Sequence, residues 1–246
     1  ETIQAVRLDD TVQEDIDAAV KTITEAGRGL HGLVNNAGVA VIAPLIEVDE
    51  EDFDFQMDVN VYGPYRVTKA FAPLIIESNG RITTTGSISG ILSGTLFGPY
   101  SMSKHAMEAF TDSLASEMER FGVHVSVIEP GNYESDIGKN IARRMKARGL
   151  SSDGSLYKEE LDRMVGRINS DEPLGGDPNE VAEAALHALF DDNPKRRYMV
   201  VPNERQAEVT VRKAMEEMVQ LNQGQKFSYG REELIRMLDE LMAANP

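Results

Sequence analysis

The stretch "RITTTGSISGILSGTLFGPYSMSKHAMEAF", residues 81–110, joins a run of β-branched residues to a run that suits a helix. "RITTTGS" (81–87) predicts a strand, and residues 100–121 predict a helix. Residues four apart in a helix share one face, so the ammonium of Lys104 is expected beside the phenol of Tyr100. A positive charge there favours the phenolate and indicates a candidate general acid or base. An exposed tyrosine and lysine would show the same spacing, so further residues must decide.

Short β-rich runs and amphipathic helices alternate along the rest of the chain. Strands are expected at 3–8, 30–36, 123–130 and 197–201, and helices at 9–27, 49–78, 178–190, 203–221 and 230–243. Pro64 and Pro73 are expected to kink or break the long helix. Strands that alternate with helices indicate an α/β fold, a doubly wound parallel sheet covered by helices on both faces.

The composition is that of a globular chain with an acidic balance. The 246 residues include 25 Lys+Arg and 41 Asp+Glu, for a formal net charge of −16, which argues against a nucleic-acid partner. Cysteine is absent, which excludes disulfides, a thiol nucleophile and thiolate metal sites, and favours a cytoplasmic location. No apolar run approaches the roughly 20 residues of a membrane span. The four scattered histidines form no pattern typical of a zinc site, so no metal is expected.

Motifs on either side of the opening stretch support an active site. Ser87 ends the preceding strand, at the edge where parallel sheets present side chains to ligands. "VNNAG" (34–38) and "EPG" (129–131) stand at the ends of two other strands, and "NVYG" carries Asn60. Together, N-N-A-G, N-x-x-G, a serine thirteen residues before Y-x-x-x-K, and P-G after the next strand resemble the short-chain dehydrogenase/reductase family. The likeness covers roughly residues 3–135, and the chain looks most like the branch with 17β-hydroxysteroid and retinol dehydrogenases.

The resemblance implies a catalytic tetrad. Tyr100 matches the acid/base that exchanges a proton with the substrate oxygen while hydride moves to or from a nicotinamide. Lys104 matches the residue that lowers the tyrosine pKa and holds the nicotinamide ribose. Ser87 matches the hydroxyl that orients the carbonyl, and Asn60 matches the helix-kink side chain that helps to hold a water on the proton path. Independently of the family, two hydroxyl donors that converge on a substrate oxygen would stabilise the negative charge that develops there.

The resemblance also implies binding of NAD or NADP. The positions that match coenzyme contacts of the family are Asp9, Asn36, Ala37, Gly38, Tyr100, Lys104, Pro130, Gly131 and Ser135. Asp9 matches the acid that contacts adenine, and the Asn-Ala-Gly run passes close to the adenosine half. The Pro-Gly turn lies behind the nicotinamide, and Ser135 stands where a threonine usually contacts the carboxamide. The choice between NAD and NADP stays open, because the strand that decides it in the family is not among these residues.

The chain departs from the family at its beginning. Family members open with a strand, a glycine-rich turn resembling T-G-x-x-x-G-x-G, a helix and a second strand, and the printed residues start just before the third family strand. A strand at 3–8 would then lack a neighbour, and a pyrophosphate would lack the helix N-terminus that neutralises it. We expect that these residues are the later part of a longer polypeptide. A fragment that has lost coenzyme binding is the alternative.

The domain organisation follows from the same reading. Residues 1–202 are expected to form one Rossmann-like dinucleotide-binding and catalytic domain, in which 134–176 is a substrate flap. Residues 203–246 are expected to be a helical extension of that domain, either a docking element or a wall of the substrate pocket. The basic run "RRMKARG" (143–149) suits a solvated face better than a phosphate site, and the acids of 47–54 need no role beyond the helix dipole.

Three function classes remain compatible with the residues. The first is an NAD(P)-dependent oxidoreductase that interconverts a secondary alcohol and a ketone, with a hydrophobic small-molecule substrate. The second is a non-catalytic binding protein on the same scaffold, and the third is an assembly component. The complete tetrad favours the enzyme. Since the helices that match 50–78 and 100–121 form four-helix dimer contacts in the family, the resemblance also implies a homodimer or homotetramer.

Overall fold

A computed structural model describes residues 3–170 and 175–244, and within these ranges it shows a four-stranded parallel sheet with helices on both faces. The strands are β1 (Gly32–Asn35), β2 (Arg81–Thr85), β3 (His124–Pro130) and β4 (Arg197–Val200), hydrogen bonded in the order β1-β2-β3-β4. The helices are α1 (Gln13–Ala26), α2 (Glu50–Met57), α3 (Gly63–Glu77), α4 (Gly98–Met118), α5 (Ile137–Ala147), α6 (Lys158–Ile168), α7 (Asn179–Phe190), α8 (Glu204–Asn222) and α9 (Arg231–Ala244). The predicted α/β fold is confirmed.

Three apolar clusters join the helices to the sheet. Buried Ile16 of α1 and Phe71 of α3 pack with Leu33 of β1, while residues of α3 and α4 pack on β2 and β3 around Ile82. On the opposite face, Ala188 of α7 packs with Ile128 and Tyr198. Both faces of β2 and β3 are therefore covered, which explains why their sequences are almost continuously apolar or β-branched rather than alternating.

Residues 3–8 are not a strand, contrary to the sequence-based prediction. They are exposed, and Ile3 is 100% accessible. A strand requires hydrogen bonds to a neighbouring strand. Among the described residues, no strand is hydrogen bonded to this segment. The helix that follows agrees with the prediction, because α1 ends where Gly27 adopts the left-handed conformation (φ 64°) that terminates helices.

The long helix predicted at 49–78 is divided by a π-helical turn at Asp58–Tyr62. Asp49 caps the first part, and its carboxylate accepts a hydrogen bond from the Asp52 amide (2.7 Å). Pro64 stands in the first turn of α3, where its missing N–H costs nothing, and Pro73 lies inside α3 without ending it. Asn60 lies in this π-turn, is buried, and is hydrogen bonded to Val39 in the loop that follows β1.

The segment predicted as a substrate flap contains α5 and α6. Residues 171–174 of that segment lie outside the described residues. Beyond β4, α8 and α9 form the predicted helical extension, and α8 carries many exposed apolar side chains. In the part of the chain that the structure describes, no helix combines the length and apolar character needed to cross a membrane.

Candidate active site

The carboxyl ends of β1, β2 and β3 meet at one edge of the sheet, and the predicted site residues follow these ends. Gly38 comes after β1, Ser87 comes two residues after β2, and Pro130 is the last residue of β3. Ser87 is 8% accessible, and its hydroxyl accepts a hydrogen bond from the Ser89 amide (3.0 Å) and donates to the Pro130 carbonyl (3.4 Å). Ser87 is thereby held between the ends of two neighbouring strands.

Tyr100 and Lys104 lie on one face of α4, as the spacing predicts. The Lys104 ammonium is 5.7 Å from the centre of the Tyr100 ring and donates to the carbonyl of Thr85, the last residue of β2 (2.8 Å). Lys104 is only 6% accessible. Burial of the ammonium lowers the pKa of Lys104 to about 8, while the negative charge of Glu108 acts in the opposite direction.

The pKa of Tyr100 moves in the direction opposite to the one expected both from the nearby Lys104 and from the family resemblance. Burial raises the pKa of the Tyr100 phenol, and the nearby Ser87 hydroxyl acts against the increase. The physical reason is that an apolar cluster packs on Tyr100 and disfavours the phenolate. The phenol of Tyr100 therefore keeps its proton at neutral pH.

Asn60 connects the loop after β1 with α4. Its side-chain oxygen accepts from the Val39 amide (2.8 Å), and its side-chain nitrogen donates to the Val39 carbonyl (3.0 Å) and to the Ser103 hydroxyl (3.0 Å). A β-carbon on Gly38 would lie 3.7 Å from the Asn60 side-chain oxygen and 3.9 Å from the Lys104 nitrogen. The structure thus brings Asn60 into the same cluster as Ser87, Tyr100 and Lys104. Its predicted role in holding a water stays a prediction.

The residues predicted to contact the adenosine half of a coenzyme lie along the free side of β1. An open groove of about 760 Å³ is lined there by Asp9, Asn36, Ala37 and other residues. The Asp9 carboxylate accepts hydrogen bonds from the amide and hydroxyl of Thr11, which lower its pKa. Neighbouring Asp10 is instead buried against Gly63, and burial together with the charges of Asp9 and Asp58 raises its pKa to about 6.

The residues predicted beside the nicotinamide lie at the end of β3 and just after it. The Gly131 amide donates to the Val200 carbonyl (2.7 Å), which fixes the Pro-Gly turn to β4. Ser135 is exposed before α5, and its hydroxyl accepts from the Ile137 amide (3.4 Å). Ser135 therefore lies on the exposed segment that leads into α5.

The flap packs on Tyr100 through an apolar cluster that the sequence prediction missed. Ile141 of α5 and Leu161 of α6 are buried together with Ile42 and Leu96, and the Tyr100 ring packs against this cluster. The sequence signal for this cluster is the amphipathic spacing of α5 and α6. It shows that each helix buries one face, but it does not show which residues that face covers.

The basic run at 143–149 is not simply a solvated face. Arg144 donates to the buried Asp52 carboxylate from Nε (2.7 Å) and stacks over the Phe55 ring (3.7 Å). Arg148 pairs with Asp49 (2.9 Å) and with Glu51. These two arginines attach α5 to α2, so the expectation of a purely solvated run is wrong for them, and neither is free to bind a phosphate.

Replacing Asp52 with alanine is expected to destabilise the protein. The change leaves the partly buried Arg144 guanidinium without its carboxylate, which should lower the free energy of unfolding by about 2 kcal/mol. Unfolding in urea, which does not screen ion pairs, measures the effect. Asp54→Ala removes an exposed carboxylate from the same helix and is the control. Equal stability of the two variants would contradict an attachment through Asp52.

Comparison with known proteins identifies the family. The family model described as short chain dehydrogenase matches residues 1–146. The chain belongs to the short-chain dehydrogenase family. This membership confirms the resemblance drawn from the motifs around Ser87 and Tyr100.

Three curated relatives are similar to this chain over part of their own length. A 3β-hydroxysteroid dehydrogenase of Caenorhabditis elegans is 33% identical, over 80% of this chain and 54% of the relative. Retinol dehydrogenase 7 of Mus musculus is 35% identical over 80% and 65%, and the mitochondrial D-β-hydroxybutyrate dehydrogenase of Bos taurus is 33% identical over 80% and 61%. The aligned part of this chain therefore spans 54–65% of the length of these relatives.

Two solved structures share the fold. A short-chain dehydrogenase from Streptomyces avermitilis superposes with a TM-score of 0.72 at 25% identity, over 89% of this chain and 78% of that one. A short-chain dehydrogenase/reductase from Burkholderia phymatum, in complex with NAD, gives a TM-score of 0.71 at 25% identity, over 91% and 79%. The arrangement of strands and helices described above is thus the family's arrangement.

Proposed function

We propose that this short-chain dehydrogenase is an NAD(P)-dependent oxidoreductase that interconverts an apolar secondary alcohol and its ketone, with Tyr100 as the acid/base. The observation that carries the proposal is the environment of the Tyr100 ring: an apolar cluster packs on it, the Lys104 ammonium is 5.7 Å from its centre, and the Ser87 hydroxyl lies close enough to affect its pKa. The names of the relatives, which include three dehydrogenases, support the same reaction class.

The chain supplies the proton chemistry. Because burial raises the pKa of Tyr100, its phenol is protonated at neutral pH and can donate its proton to a ketone oxygen. The Ser87 hydroxyl can donate to the same oxygen, since its present acceptor, the Pro130 carbonyl, is at a long 3.4 Å. Two donors at one oxygen stabilise the charge that forms there. In the oxidation direction Tyr100 must first release its proton to solvent, and the phenolate then accepts the proton of the alcohol.

The coenzyme fits the residues around Lys104. An ammonium has three N–H donors, and in the described residues the structure shows a hydrogen bond from one of them, to Thr85. The other donors of this buried lysine can hold the ribose hydroxyls, while Pro130 and Gly131 bound the nicotinamide side and Asp9 with Asn36–Gly38 the adenosine side. A bound nicotinamide coenzyme supplies or accepts the hydride. The chain's contribution is to hold it and to move the proton.

The apolar cover of Tyr100 supports a hydrophobic substrate. Ile137, Ile141 and Leu161 of the predicted flap belong to the apolar cluster that packs on Tyr100. An apolar substrate bound beside Tyr100 would contact these side chains and bury its own apolar surface there. Two of the relatives are named for a hydroxysteroid and for retinol, and the third is named for hydroxybutyrate. Because these names differ in polarity, the cluster itself is the stronger argument for an apolar substrate.

The test follows nicotinamide absorbance. The purified chain is incubated with NAD or NADP, oxidised or reduced, and with matched panels of apolar secondary alcohols, their ketones and short hydroxy acids. We expect turnover with the apolar panel that exceeds turnover with the hydroxy acids. Turnover confined to the hydroxy acids would contradict the substrate class. Binding of coenzyme, followed by its fluorescence, without any absorbance change would favour the non-catalytic binding protein.

We also propose that the protein assembles as a homodimer or homotetramer through α3 and α4. Three exposed aromatic or apolar side chains lie on or beside these helices: Tyr62 before α3, Met102 on α4 and Phe121 after α4. Sedimentation velocity tests the proposal, and a monomer over the full concentration range would overturn it.

A further inference from the structure

Two glutamates lie behind the catalytic serine and have no role in the proposed reaction. Glu108 is on α4, one turn after Lys104, and Glu129 is in β3, immediately before Pro130. Glu129 is 3% accessible and the Glu108 side chain 14%. Buried carboxyls are costly unless they are paired or neutral, so this pair requires an explanation.

The Glu108 carboxyl supports the Ser87 loop, defined as residues 86–90. A β-carbon on Gly90 would lie 2.8 Å from Glu108 Oε1, and one on Gly86 would lie 3.2 Å from it. The two glycines that flank Ser87 therefore let the loop backbone rest directly on this carboxyl. On its other side the loop is bound to β3, where the Gly86 amide donates to the Ile128 carbonyl (2.7 Å).

One oxygen of each glutamate has no hydrogen-bond partner while both carboxyls are ionised. Among the described residues, no donor meets Glu108 Oε1 or Glu129 Oε1, and both atoms are buried. Glu108 Oε1 lies beside Gly86, and the Gly86 amide is bonded to the carbonyl of Ile128, the residue before Glu129. The two carboxyls are therefore neighbours, and each affects the pKa of the other. A single proton on one carboxyl would give both oxygens a partner and would remove the repulsion between two buried negative charges.

The nearby positive charges do not neutralise both glutamates, so a proton between the two carboxyls is the simplest way to remove their repulsion. Arg197 of β4 donates to Glu108 Oε2 (2.9 Å) and to the more exposed Asp112 of α4 (2.7 Å), so it is shared between two acids. The other cation near Glu108 is Lys104. Burial, followed by the proximity of Glu129, raises the pKa of Glu108 to about 8, and burial also raises the pKa of Glu129.

We propose that Glu108 and Glu129 hold one proton between them, and that this shared proton fixes the Ser87 loop against the end of β3. Both glutamates are then positioning residues for Ser87, a part of the proposal that rests on the proposed function. When the proton leaves, two like charges face each other beneath the loop, and the loop should open more often.

The substitution Glu108→Gln tests the shared proton directly. Its amide nitrogen can donate to Glu129 permanently, and its amide oxygen can still accept from Arg197. At neutral pH, the infrared spectrum of the wild-type protein should contain a protonated-carboxyl band that this variant lacks. Above about pH 9, the amides of Gly86 and Gly90, which are hydrogen bonded within or from the Ser87 loop, should exchange roughly tenfold faster in the wild type than in the variant, corresponding to one pKa unit.

The stability profile gives a second readout that does not involve activity. The folded state binds the proton of Glu108 more tightly than the unfolded state, because its pKa is raised from 4.5 to about 8. The wild-type protein should therefore lose stability as pH rises through this interval. In Glu108→Gln this contribution is absent. The difference in melting temperature, variant minus wild type, should therefore increase as pH increases.

Controls separate positioning from general damage. Asp112→Asn removes the other acid that Arg197 contacts and should keep both the infrared band and the loop exchange of the wild type. Glu108→Ala should lower turnover about tenfold at neutral pH, and Glu108→Gln should restore it. Absence of the band, or equal loop exchange in all variants, overturns the proposal. A wild type without turnover would refute the enzyme reading alone, because the infrared and exchange results still decide the shared proton.

Discussion

Replacing Tyr100 with phenylalanine is expected to lower turnover by about 10²–10⁴-fold, the range that a positioned general acid contributes. The phenyl ring keeps the packing of Tyr100 against the apolar cluster, so the fold should be retained. Coenzyme affinity should change little, because the phenol donates to the substrate oxygen. Absorbance kinetics measure turnover, and coenzyme fluorescence measures affinity in the same preparation.

The chain contains its own control for this substitution. Tyr65 and Lys69 on α3 repeat the Tyr-x-x-x-Lys spacing, and their ammonium-to-ring distance is also 5.7 Å. Tyr65 is 48% accessible, and the structure shows no Ser87-like hydroxyl bonded to it in the described ranges. Tyr65→Phe should therefore leave turnover unchanged. If Tyr100→Phe were as active as Tyr65→Phe, Tyr100 would not be the acid/base.

Replacing Lys104 with methionine is expected to abolish measurable turnover while the protein becomes more stable. Methionine keeps the length of the side chain and removes the ammonium that would hold the ribose, so coenzyme affinity should fall together with turnover. Burial lowers the pKa of Lys104 from 10.5 to about 8, which corresponds to a cost of about 3 kcal/mol for the charged form. Loss of the hydrogen bond to Thr85 offsets about 2 kcal/mol of the gain, and a net stabilisation of about 1 kcal/mol remains.

The stability gain of Lys104→Met should depend on pH. Below about pH 8 the wild-type folded state carries the full cost of the buried ammonium, and the cost disappears as pH rises toward the unfolded pKa of 10.5. The stability advantage of Lys104→Met should therefore be largest at neutral pH and decline above about pH 8. Lys69→Met, at the exposed copy of the motif, should alter neither stability nor turnover. A destabilised and fully active Lys104→Met would contradict the assignment.

The alternation of strands and helices could be read from the sequence because it depends on local patterns. Four of the five predicted strands around the sheet are present, and α1 ends at Gly27 as its conformational freedom predicts. Residues 3–8 show the limit of this reasoning. A β-rich run becomes a strand only beside a partner, and a local pattern contains no information about one. The family resemblance marked Asn60 as a helix-kink position, but the local pattern does not show that the interruption is a π-turn.

The electrostatics of the site depend on contacts that are distant in sequence. The pKa of Tyr100 is raised because α5 and α6, which follow it by tens of residues, cover the phenol with apolar side chains. Arg144 reaches an acid 92 residues earlier, and Glu108 meets Glu129 across the boundary between a helix and a strand. None of these pairings follows from spacing, because each depends on how the elements pack.

The sequence by itself determined the α/β class, the family and the residue types of the site, since these are encoded in periodicity and in short motifs. It could not separate its two Tyr-x-x-x-Lys pairs by spacing, because both place a lysine beside a tyrosine on a helix. The serine thirteen residues before Tyr100 and the flanking motifs favoured the second pair, and the tertiary structure gives the physical difference between the two pairs. The strand ends and the flap enclose Tyr100 and Lys104 beside Ser87, whereas Tyr65 and Lys69 face outward, and burial is what turns an ordinary helix pair into a candidate site for proton transfer.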